Sequence, residues 1–312
     1  MTPGYNLRIG KATDRLLFRD MLSRLSTTFD FGEYRYVGLG GPFLEDFRLL
    51  HETFPEMRMV SIERTAQVWR RQKFHKPCRQ IKLLNCGVDH YFANVHNESE
   101  SAIVWLDFTD LQYERLRDLW GIIPRLAPGS LLRVTLRAMG TDEIEHDARR
   151  EWAQNLFGQF EPDYTVEELD TGPFAHVLVR AIRRVTDDVS VQIVDAKFHL
   201  LQAFVYDDGT PMLTFCGAIG NGAIGQAARA ALRNWQFRNF RWGEPYLLRL
   251  PALSLKERLF LEPLLPSSRG SGRELHKKLG YSIEESRQRS IQALDQYRQL
   301  AGAYPRFVRV TI

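Results

Sequence analysis

The sequence predicts an α/β fold: a mainly parallel sheet with helices on both faces, an antiparallel hairpin strand at the end of the sheet, and a small helical C-terminal appendage. Short apolar segments alternate with segments of helical periodicity between residues 34 and 138, and this alternation is typical of parallel sheets. Later, Asp207-Asp208-Gly209-Thr210 separates two runs rich in β-branched and aromatic residues, which indicates a hairpin. From Pro251 onward the patterns are helical.

The chain opens with a helix and then begins the sheet. Apolar residues recur at helical spacing from Leu16 to Leu25, with basic residues between them. Tyr34 to Leu39 is expected to form a short strand, and Phe43 to His51 a helix. That helix carries Glu45 and Asp46 in its first turn, where acidic residues are favoured.

Four more strands and two helices complete the predicted parallel part of the sheet. The apolar segment "MRMVSIE" ends in Glu63, and the basic stretch "RTAQVWRRQKFHKP" after it is expected to be a helix that Pro77 stops. A second helix, from Tyr113 to Leu126, is interrupted near Gly121 and Pro124. The remaining strands are expected at residues 80–87, 101–108 and 129–138.

The pattern changes beyond residue 138. Thr141 to Phe157 is polar and helical, whereas the stretch up to Arg184 fits no element clearly. Near the C-terminus, Ser254 is placed to cap one helix, and Ser282 with Glu285 forms a capping box for another. These changes divide the chain into a helical N-terminal segment (1–33), an α/β domain (34–245) with a helical insertion around 141–185, and a helical appendage (246–312).

The composition describes an ordinary globular chain. Its 312 residues are 44% hydrophobic and 26% charged, which is enough to bury a large core. No apolar run approaches the roughly 18–20 residues of a membrane span, and the N-terminus lacks the pattern of a signal peptide, so we expect a cytoplasmic protein. Cys78, Cys86 and Cys216 have neither the number nor the spacing of a disulfide framework or a zinc site. A net charge of +4 indicates no particular partner.

The segment "YVGLGGPFLEDF", residues 36–47, packs three glycines into four positions between a predicted strand and a predicted helix. Such a turn lets the main chain approach a ligand at a helix N-terminus. A dinucleotide and S-adenosylmethionine are both bound in this way. The dinucleotide motif G-x-G-x-x-G needs glycine where this chain has Phe43. Glu63, which ends the next strand, can accept hydrogen bonds from the ribose hydroxyls of either ligand.

The order of elements resembles the class I S-adenosylmethionine-dependent methyltransferase fold, a Rossmann-like sheet whose seventh strand inserts antiparallel. The resemblance covers about residues 34–220. More narrowly, "YVGLGGPFLEDFRLLH", "SIE" and "RRQKFHKP" resemble bacterial chains described as O-methyltransferases. The resemblance therefore implies an enzyme whose cofactor is S-adenosylmethionine.

The resemblance also implies the residues that would bind this cofactor. The glycine turn would line its methionine and ribose side, Glu63 would hold the ribose diol, and Asp89 would accept from the adenine amino group. Asp107, which ends the fourth strand, would lie where the methyl donor meets its acceptor and would be the catalytic residue. The full cofactor-binding set is Gly38, Leu39, Gly40, Gly41, Glu63, Arg64, Gly87, Val88, Asp89 and Asp107.

Two positions depart from the family pattern, and two aspartates have alternative roles. The family usually has an acid where this chain has Tyr36 and a further glycine where it has Pro42; Asp46 is a candidate substitute for the acid. Asp107 can serve as a general base or have a structural role. Asp110 has the position of a cap for the following helix.

Acidic residues raise the alternative of a metal-dependent enzyme. Asp107 with Asp110 could begin a metal site, and "TDEIEHD", residues 141–147, is rich in carboxylates. A solvated helix face explains that stretch, and no Asp-Asn pair follows the fifth strand, so no metal is expected. The segment "DFTD" does not match the Asp-Pro-Pro-Tyr type motif of enzymes that methylate the exocyclic amines of bases. Methylation of DNA bases is therefore not expected.

Two segments interleave aromatic and basic residues: "NWQFRNFRWGEPY", residues 234–246, and "WRRQKFHKP", residues 69–77. Single-strand nucleic-acid binders use such residues to stack bases and neutralise phosphates. Packing of the rings against the core is the interpretation we prefer for the first segment. The second segment is open to both interpretations.

The sequence thus predicts methyl transfer from S-adenosylmethionine to a nucleophilic acceptor, with oxygen preferred. The main alternative is a protein of the same fold that no longer catalyses, and that binds a nucleotide or nucleic acid or serves as a subunit of a bacterial assembly; Tyr36 favours it. An NAD-dependent oxidoreductase is a third alternative, which Phe43 weakens. The sequence identifies neither the acceptor nor the oligomeric state.

Overall fold

A computed structural model describes residues 8–142, 145–192, 197–265 and 271–305. Helices in these ranges are α1 (Ile9–Leu25), α2 (Glu45–Thr53), α3 (Ala66–His75), α4 (Val88–Asn94), α5 (Tyr113–Ile122), α6 (His146–Phe157), α7 (Thr171–Gln192), α8 (Gly222–Ala231), α9 (Leu255–Leu261), α10 (Gly272–Leu279) and α11 (Arg287–Leu300). The strands are β1 (Arg35–Gly38), β2 (Arg58–Ile62), β3 (Ile81–Leu84), β4 (Ala102–Asp107), β5 (Leu131–Arg137), β6 (Lys197–Asp207), β7 (Pro211–Gly220) and β8 (Tyr246–Leu248).

The strands form one sheet in the order β3-β2-β1-β4-β5-β7-β6-β8. The first five strands run parallel, so that Val37 lies beside Val60 on one side and Val104 on the other. β7 runs antiparallel to β5, with Val134 opposite Phe215, and it lies between β5 and β6. The predicted fold class, a parallel sheet with an antiparallel strand from a late hairpin, is confirmed.

Each face of the sheet packs against its own helices, because alternate residues of a strand point to opposite faces. On one face, Val37 and Val60 belong to a buried cluster that also contains Leu116 of α5. On the other face, the buried ring of Tyr36 packs edge-on against Phe47 of α2. Burial on both faces explains why the central strands read as nearly continuous apolar runs.

The chain divides into two compact units. The larger contains Arg19–Val205 and Gly209–Tyr246 and therefore holds the parallel strands. The smaller contains the described parts of Met1–Phe18, Tyr206–Asp208 and Leu247–Ile312. The sequence-based boundaries at 33/34 and 245/246 stay a prediction; the structure groups the start of α1 with the C-terminal helices.

The smaller unit has its own core, built around Leu261, Leu275 and Leu294. In the same unit, the backbone N–H groups of Gly10 and Lys11 donate to the carboxylate of Asp208, over 2.7 and 2.8 Å. The first turn of α1 contains no acidic residue of its own. Asp208, from the predicted hairpin turn, therefore supplies the carboxylate that the first amides of a helix need.

The capping box predicted at Ser282 and Glu285 is wrong. α11 begins at Arg287, and the side chain of Ser286 accepts from the N–H of Arg289. The hydroxyl of Ser282 lies instead 3.3 Å from Nε2 of His276. Ser282 and Ser286 both precede residues with helical periodicity, so the sequence does not distinguish them as caps. In the structure, Ser286 is the one that accepts from an N–H group in the first turn of α11.

Other C-terminal details differ less from the prediction. Capping of α9 by Ser254 is confirmed, since its hydroxyl accepts from the N–H of Glu257 at 3.3 Å. The Pro-, Gly- and Ser-rich sequence "PSSRGSGRE", residues 266–274, predicts a linker, but its last residues form the start of α10, with a capping box between Ser271 and Glu274. The preceding residues, 266–270, lie outside the described part of the chain.

Four helices have no counterpart in the prediction: α4, α7, α8 and α10. α7 occupies the stretch that fitted no element, and its 22 residues include many β-branched side chains, which lower helix propensity. Its Pro173 stands in the first turn, where proline is tolerated. None of the helices in the described ranges is long and apolar enough to cross a bilayer.

Candidate active site

The protein's own side chains fill one side of the glycine turn that follows β1 (residues 38–41). A Cβ atom at Gly38 would lie 2.8 Å from the hydroxyl of Tyr36, and one at Gly40 would lie 2.6 Å from Leu44. Gly40 and Gly41 have φ angles of +64° and +52°, which favour glycine. Beside Gly41, no atom of the described chain lies within 4 Å of a Cβ position. Packing therefore accounts for the glycines at 38 and 40, and open space lies only beside Gly41.

Gln72 of α3 holds the turn from the opposite side. This fully buried side chain donates through Nε2 to the carbonyl oxygens of Leu39 and Gly41, over 3.2 and 2.8 Å. Its Oε1 accepts from the hydroxyl of Ser61 at 3.2 Å. The amide of Gln72 thus joins α3 to two carbonyl groups of the turn.

A buried carboxylate lies beside the first glycine of the turn. The hydroxyl of Tyr36 donates to Oδ2 of Asp46, and both residues are buried. A Cβ atom at Gly38 would lie 3.3 Å from the same oxygen. Asp46, the candidate substitute for the acid missing at position 36, is therefore close to the turn. Its contact with a ligand stays a prediction.

An open cleft of about 310 Å³ lies at the carboxyl ends of β2, β3 and β4. Parallel strands end at the same edge of a sheet, so residues that follow three neighbouring strands meet there. The lining includes five carboxylates and two guanidinium groups. Seven of the predicted site residues are among the lining residues: Leu39, Glu63, Arg64, Gly87, Val88, Asp89 and Asp107. The turn residues Gly38, Gly40 and Gly41 are not.

Glu63 occupies the wall of the cleft directly after β2. Its Oε1 accepts from the backbone N–H of Thr65 at 2.7 Å, at the start of α3. Among the described residues, Oε2 receives no hydrogen bond. The side chain of Asn85 donates to the carbonyl of Glu63 at 2.7 Å, which joins the ends of β2 and β3. Glu63 is thus fixed through one oxygen and presents the other to the cleft.

The acids after β4 are arranged around Arg115 of α5. Arg115 donates from Nε and Nη2 to the two carboxylate oxygens of Asp110, at 2.8 and 2.9 Å, and from Nη1 to Asp118 at 3.5 Å. The predicted helix-capping role of Asp110 is wrong, because the N-cap position of α5 is Gln112. A bidentate pair with Arg115 occupies the Asp110 carboxylate instead.

These hydrogen bonds, and the burial of residues that line the cleft, shift the pKa values of three side chains. The hydrogen bonds from Arg115 lower the pKa of Asp110. Burial raises the pKa of Asp118, against the opposing effect of Arg115. Burial likewise raises the pKa of the Cys86 thiol. The cleft therefore contains one carboxylate that stays ionised well into acid and another, nearby, that protonates more easily than usual.

The sequence did not single out Arg115, Asp118 or Cys86 for the cleft. A signal existed for the first two, since Asp118 follows Arg115 by three residues on a predicted helix, and such side chains are neighbours. Cys86 adjoins the predicted adenine loop but reads as an ordinary small core residue. In the structure it is half-buried and free.

Among the described residues, no group of three or more His, Cys, Asp or Glu side chains could hold a metal ion. Residues 143 and 144 of the acidic stretch "TDEIEHD" lie outside the described ranges. Asp142 accepts from the backbone N–H of Thr171 at 2.7 Å, which is a structural contact at the start of α7.

The packing interpretation of residues 234–246 is confirmed for two of the rings. Trp235 and Phe237 are buried, and the two rings pack edge-on with centroids 5.8 Å apart. The indole N–H of Trp235 donates to Asp20 at 2.6 Å. Burial of these rings removes them from any ligand surface.

Comparison with solved structures finds similar chains at low identity. Plantazolicin methyltransferase BamL, in complex with a triazolic desmethylPZN analog and SAH, is 12% identical with a TM-score of 0.46, covering 70% of this chain and 88% of that one. Human N-acetylserotonin methyltransferase in complex with SAM is 13% identical with a TM-score of 0.37, covering 67% and 57%. At these values the similarities carry no argument about function. A search of curated proteins gave no match.

Comparison with sequence families gives a match of much greater extent. The family described as "Putative O-methyltransferase" matches residues 3–312. The match includes the glycine turn, every strand, the cleft and the C-terminal helices. Because it spans nearly the whole chain, the protein belongs to this O-methyltransferase family.

Proposed function

We propose that this protein transfers a methyl group from S-adenosylmethionine to an oxygen atom of its acceptor, in the cleft at the ends of β2, β3 and β4. The observation that carries the proposal is the concentration of five carboxylates around an open volume of about 310 Å³ in a chain of an O-methyltransferase family. A negative cleft favours a ligand whose sulfur carries a positive charge.

The residues present fit such a ligand. Glu63 offers a carboxylate oxygen that no described donor occupies, as a ribose diol needs. Asp89 is exposed in the first turn of α4, where its carboxylate can accept from an adenine amino group. Leu39 and Val88 supply apolar contact on the same walls. We infer that Glu63 and Asp89 orient the two polar ends of the nucleoside.

Asp107 is the residue to which we assign proton removal. When bound, S-adenosylmethionine supplies a methyl carbon on a cationic sulfur; the carbon–sulfur bond breaks, with its electron pair kept by sulfur, as the acceptor oxygen bonds to that carbon. Asp107 is half-buried at the end of β4 and lines the cleft, so its carboxylate can accept the hydroxyl proton. Positioning of the two reactants supplies most of the remaining acceleration.

A second candidate is a protein that binds S-adenosylmethionine without transferring its methyl group. The observation that favours it is the engagement of Asp46 with Tyr36, because an acid already bonded inside the fold is less able to hold the methionine end of a ligand. Binding without turnover across a broad screen of hydroxyl acceptors would support this candidate against the enzyme.

Titration calorimetry with S-adenosylmethionine, S-adenosylhomocysteine and NAD tests the proposal. We expect the first two to bind and NAD not to bind. Absence of binding by both S-adenosyl compounds would overturn the proposal, and tight binding of NAD would replace it with the oxidoreductase alternative.

We further propose that the protein acts in the cytoplasm of a bacterium. Cys78 and Cys86 are free thiols, as is usual in a reducing compartment. The bacterial source rests on the resemblance of the segments "YVGLGGPFLEDFRLLH", "SIE" and "RRQKFHKP" to bacterial chains. Cell fractionation with an antibody against the chain tests the location.

A further inference from the structure

The outer face of α3, together with Arg64 just before it, carries cations that form no ion pair in the described part of the chain, although the charge of Arg64 also contributes to lowering the pKa of Asp110. Between Glu63 and Asp89 the sequence contains no acidic residue. Within the described ranges, none of the exposed cations on or next to α3 has an ion-pair partner within 4.0 Å. We call the following exposed residues the α3 basic surface: Arg64, Arg70, Arg71, Lys73 and Phe74.

Phe74 stands among these cations and is 86% exposed. It follows Arg70 by four residues and Arg71 by three, so the three side chains are neighbours on the helix surface. Lys73 already lies over an aromatic ring, with Nζ 3.5 Å from the centroid of Trp69. An accessible ring among unpaired cations offers base stacking and phosphate neutralisation together.

The buried rings of residues 234–246 show what the same residue types do when their role is structural. Trp235 and Phe237 are 2% and 6% exposed and pack against each other. Within the described part of the chain, Phe74 makes one ring contact, with His75, and 86% of its surface is exposed. Core packing therefore explains the first two rings and does not explain Phe74.

We propose that the α3 basic surface binds single-stranded RNA and that this RNA is the methyl acceptor. Single strands expose bases that stack on an aromatic ring, whereas duplexes present their phosphates but keep their bases stacked. A membrane surface fits less well, because interfacial helices bury a continuous apolar face, and the only large apolar residue exposed on α3 is Phe74.

The α3 basic surface is continuous with the cleft. Arg64 belongs to both, and α3, with ten residues, is about 15 Å long. A strand bound along α3 therefore reaches the cleft that Asp107 lines. RNA offers a ribose 2′-hydroxyl there, which DNA lacks; its oxygen would take the methyl group and its proton would pass to Asp107. The acceptor part of this inference rests on the proposed function, and the binding part does not.

Fluorescence anisotropy with a labelled mixed-sequence 20-nucleotide RNA tests the binding. We expect Arg70→Gln/Arg71→Gln to lower the slope of log affinity against log salt by about 1.4, since each lost phosphate contact on a single strand removes about 0.7. We expect Phe74→Ala to weaken binding by about fivefold or more, the factor that about 1 kcal/mol of stacking gives. A blunt DNA duplex should be insensitive to Phe74→Ala.

Matched variants control for general loss of charge or apolar surface. Lys277→Gln/Lys278→Gln removes two exposed cations from α10, and Phe260→Ala removes a 51% exposed ring from α9. Equal losses from the control and the α3 variants would overturn the inference. The inference would also be overturned if the protein bound RNA and heparin equally and Phe74→Ala had no effect on either. It would likewise be overturned if the protein did not bind RNA and bound phosphatidylserine vesicles in a way that depends on Phe74. Thermal unfolding of each variant verifies that it is folded.

A methyl-transfer assay with the same RNA and the DNA of equal sequence tests the acceptor. We expect label from S-adenosylmethionine to enter the RNA only, and the Arg70→Gln/Arg71→Gln variant to raise KM for RNA while calorimetry shows unchanged binding of S-adenosylhomocysteine. If S-adenosylhomocysteine binds and RNA does not, this inference fails and the proposed function stands. If RNA binds through α3 and S-adenosylhomocysteine does not bind, the proposed function fails and the RNA is no acceptor.

Discussion

The glycine turn and the cleft lie at the same edge of the sheet, one after β1 and the other after β2, β3 and β4, and they are built in opposite ways. The turn is closed: Leu44 and Tyr36 occupy the space beside its glycines, and Gln72 binds its carbonyls. The cleft is open, and among its wall carboxylates Arg115 binds both oxygens of Asp110, whereas Glu63 is bonded through only one oxygen. The turn is therefore closed by packing, whereas the cleft keeps charged side chains around an open volume.

This difference teaches that a bare main chain in a sequence does not by itself mean an empty space in the fold. Glycine is required at position 40 both by a positive φ and by its neighbours. Three glycines in four positions are therefore consistent both with a bound ligand and with tight packing of the protein's own side chains. At the strand ends, Asp110 is explained by its pair with Arg115, whereas one oxygen of Glu63 has no donor among the described residues. Substitutions in the two regions should consequently affect different properties.

The largest effect is expected from Asp107→Asn in the cleft. If Asp107 removes the acceptor proton, its loss should lower the rate of methyl transfer by about 10²–10⁴-fold while S-adenosylhomocysteine still binds. Single-turnover transfer to an accepted substrate measures this. Glu52→Gln, an exposed carboxylate on α2, is the control. A rate within threefold of the wild type (roughly 0.6 kcal/mol of barrier) would remove Asp107 from the chemistry.

The next effect is expected from Gly40→Ala in the turn. Alanine at a φ of +64° is strained, and its Cβ would meet Leu44; strain and overpacking together should cost about 2–5 kcal/mol of unfolding free energy. Gly41→Ala, with a positive φ and open space, should cost only about 1–2 kcal/mol. Urea denaturation measures both. Equal losses would mean that the turn is not closed by packing.

A smaller effect is expected from Glu63→Gln, which should change ligand affinity and leave stability nearly unchanged. The amide can still accept from the N–H of Thr65, so the unfolding free energy should change by less than about 0.5 kcal/mol. Loss of the charged acceptor should weaken S-adenosylhomocysteine binding about tenfold or more, since hydrogen bonds to charged groups are worth about 1.5–3 kcal/mol. Calorimetry and urea denaturation give the two values. A destabilised variant with unchanged affinity would assign Glu63 to the fold.

The smallest effect is a pH dependence that Arg115→Met should remove. Because Arg115 lowers the pKa of Asp110 in the folded state, the pair stabilises the fold above about pH 4, the ordinary carboxyl value, and this contribution is lost as the pH falls through the lower folded pKa. The variant should have a higher Asp110 titration midpoint by carboxyl NMR and a stability deficit that shrinks below about pH 4. Arg117→Met, exposed on the same helix, should show neither.

Much of the fold could be predicted from the sequence, because the central strands are buried on both faces and read as apolar runs of strand length. The hairpin was also visible, through Asp207-Asp208-Gly209-Thr210. α7 was not visible, because its Val-rich composition does not favour a helix. Burial of its apolar side chains in the core that includes the sheet stabilises the helix instead. Caps were predictable only in part: Ser254 caps α9, whereas Ser286 rather than Ser282 caps α11.

The site was predictable to the extent that topology dictates it. The resemblance to the methyltransferase fold grouped Glu63, Asp89 and Asp107, and the topology gives the physical reason, because residues that follow parallel strands meet at one edge of the sheet. The pairing of Asp110 with Arg115 could not, because it depends on where α5 begins. Likewise, only the folded chain shows that Phe74 is exposed while Trp235 is buried.

The insertion of β7 between β5 and β6 has a consequence during synthesis of the chain. Roughly 70 residues separate the end of β5 from the start of β7, and at about 5–20 residues per second the growing chain presents an unpaired β5 edge for about 4–15 s. Such an edge can pair with a neighbouring nascent chain. Ribosome-bound chains stalled at residue 205 should thus be more sensitive to protease near β5 than chains stalled beyond β7, and equal sensitivity would show that α6 and α7 shield the edge first.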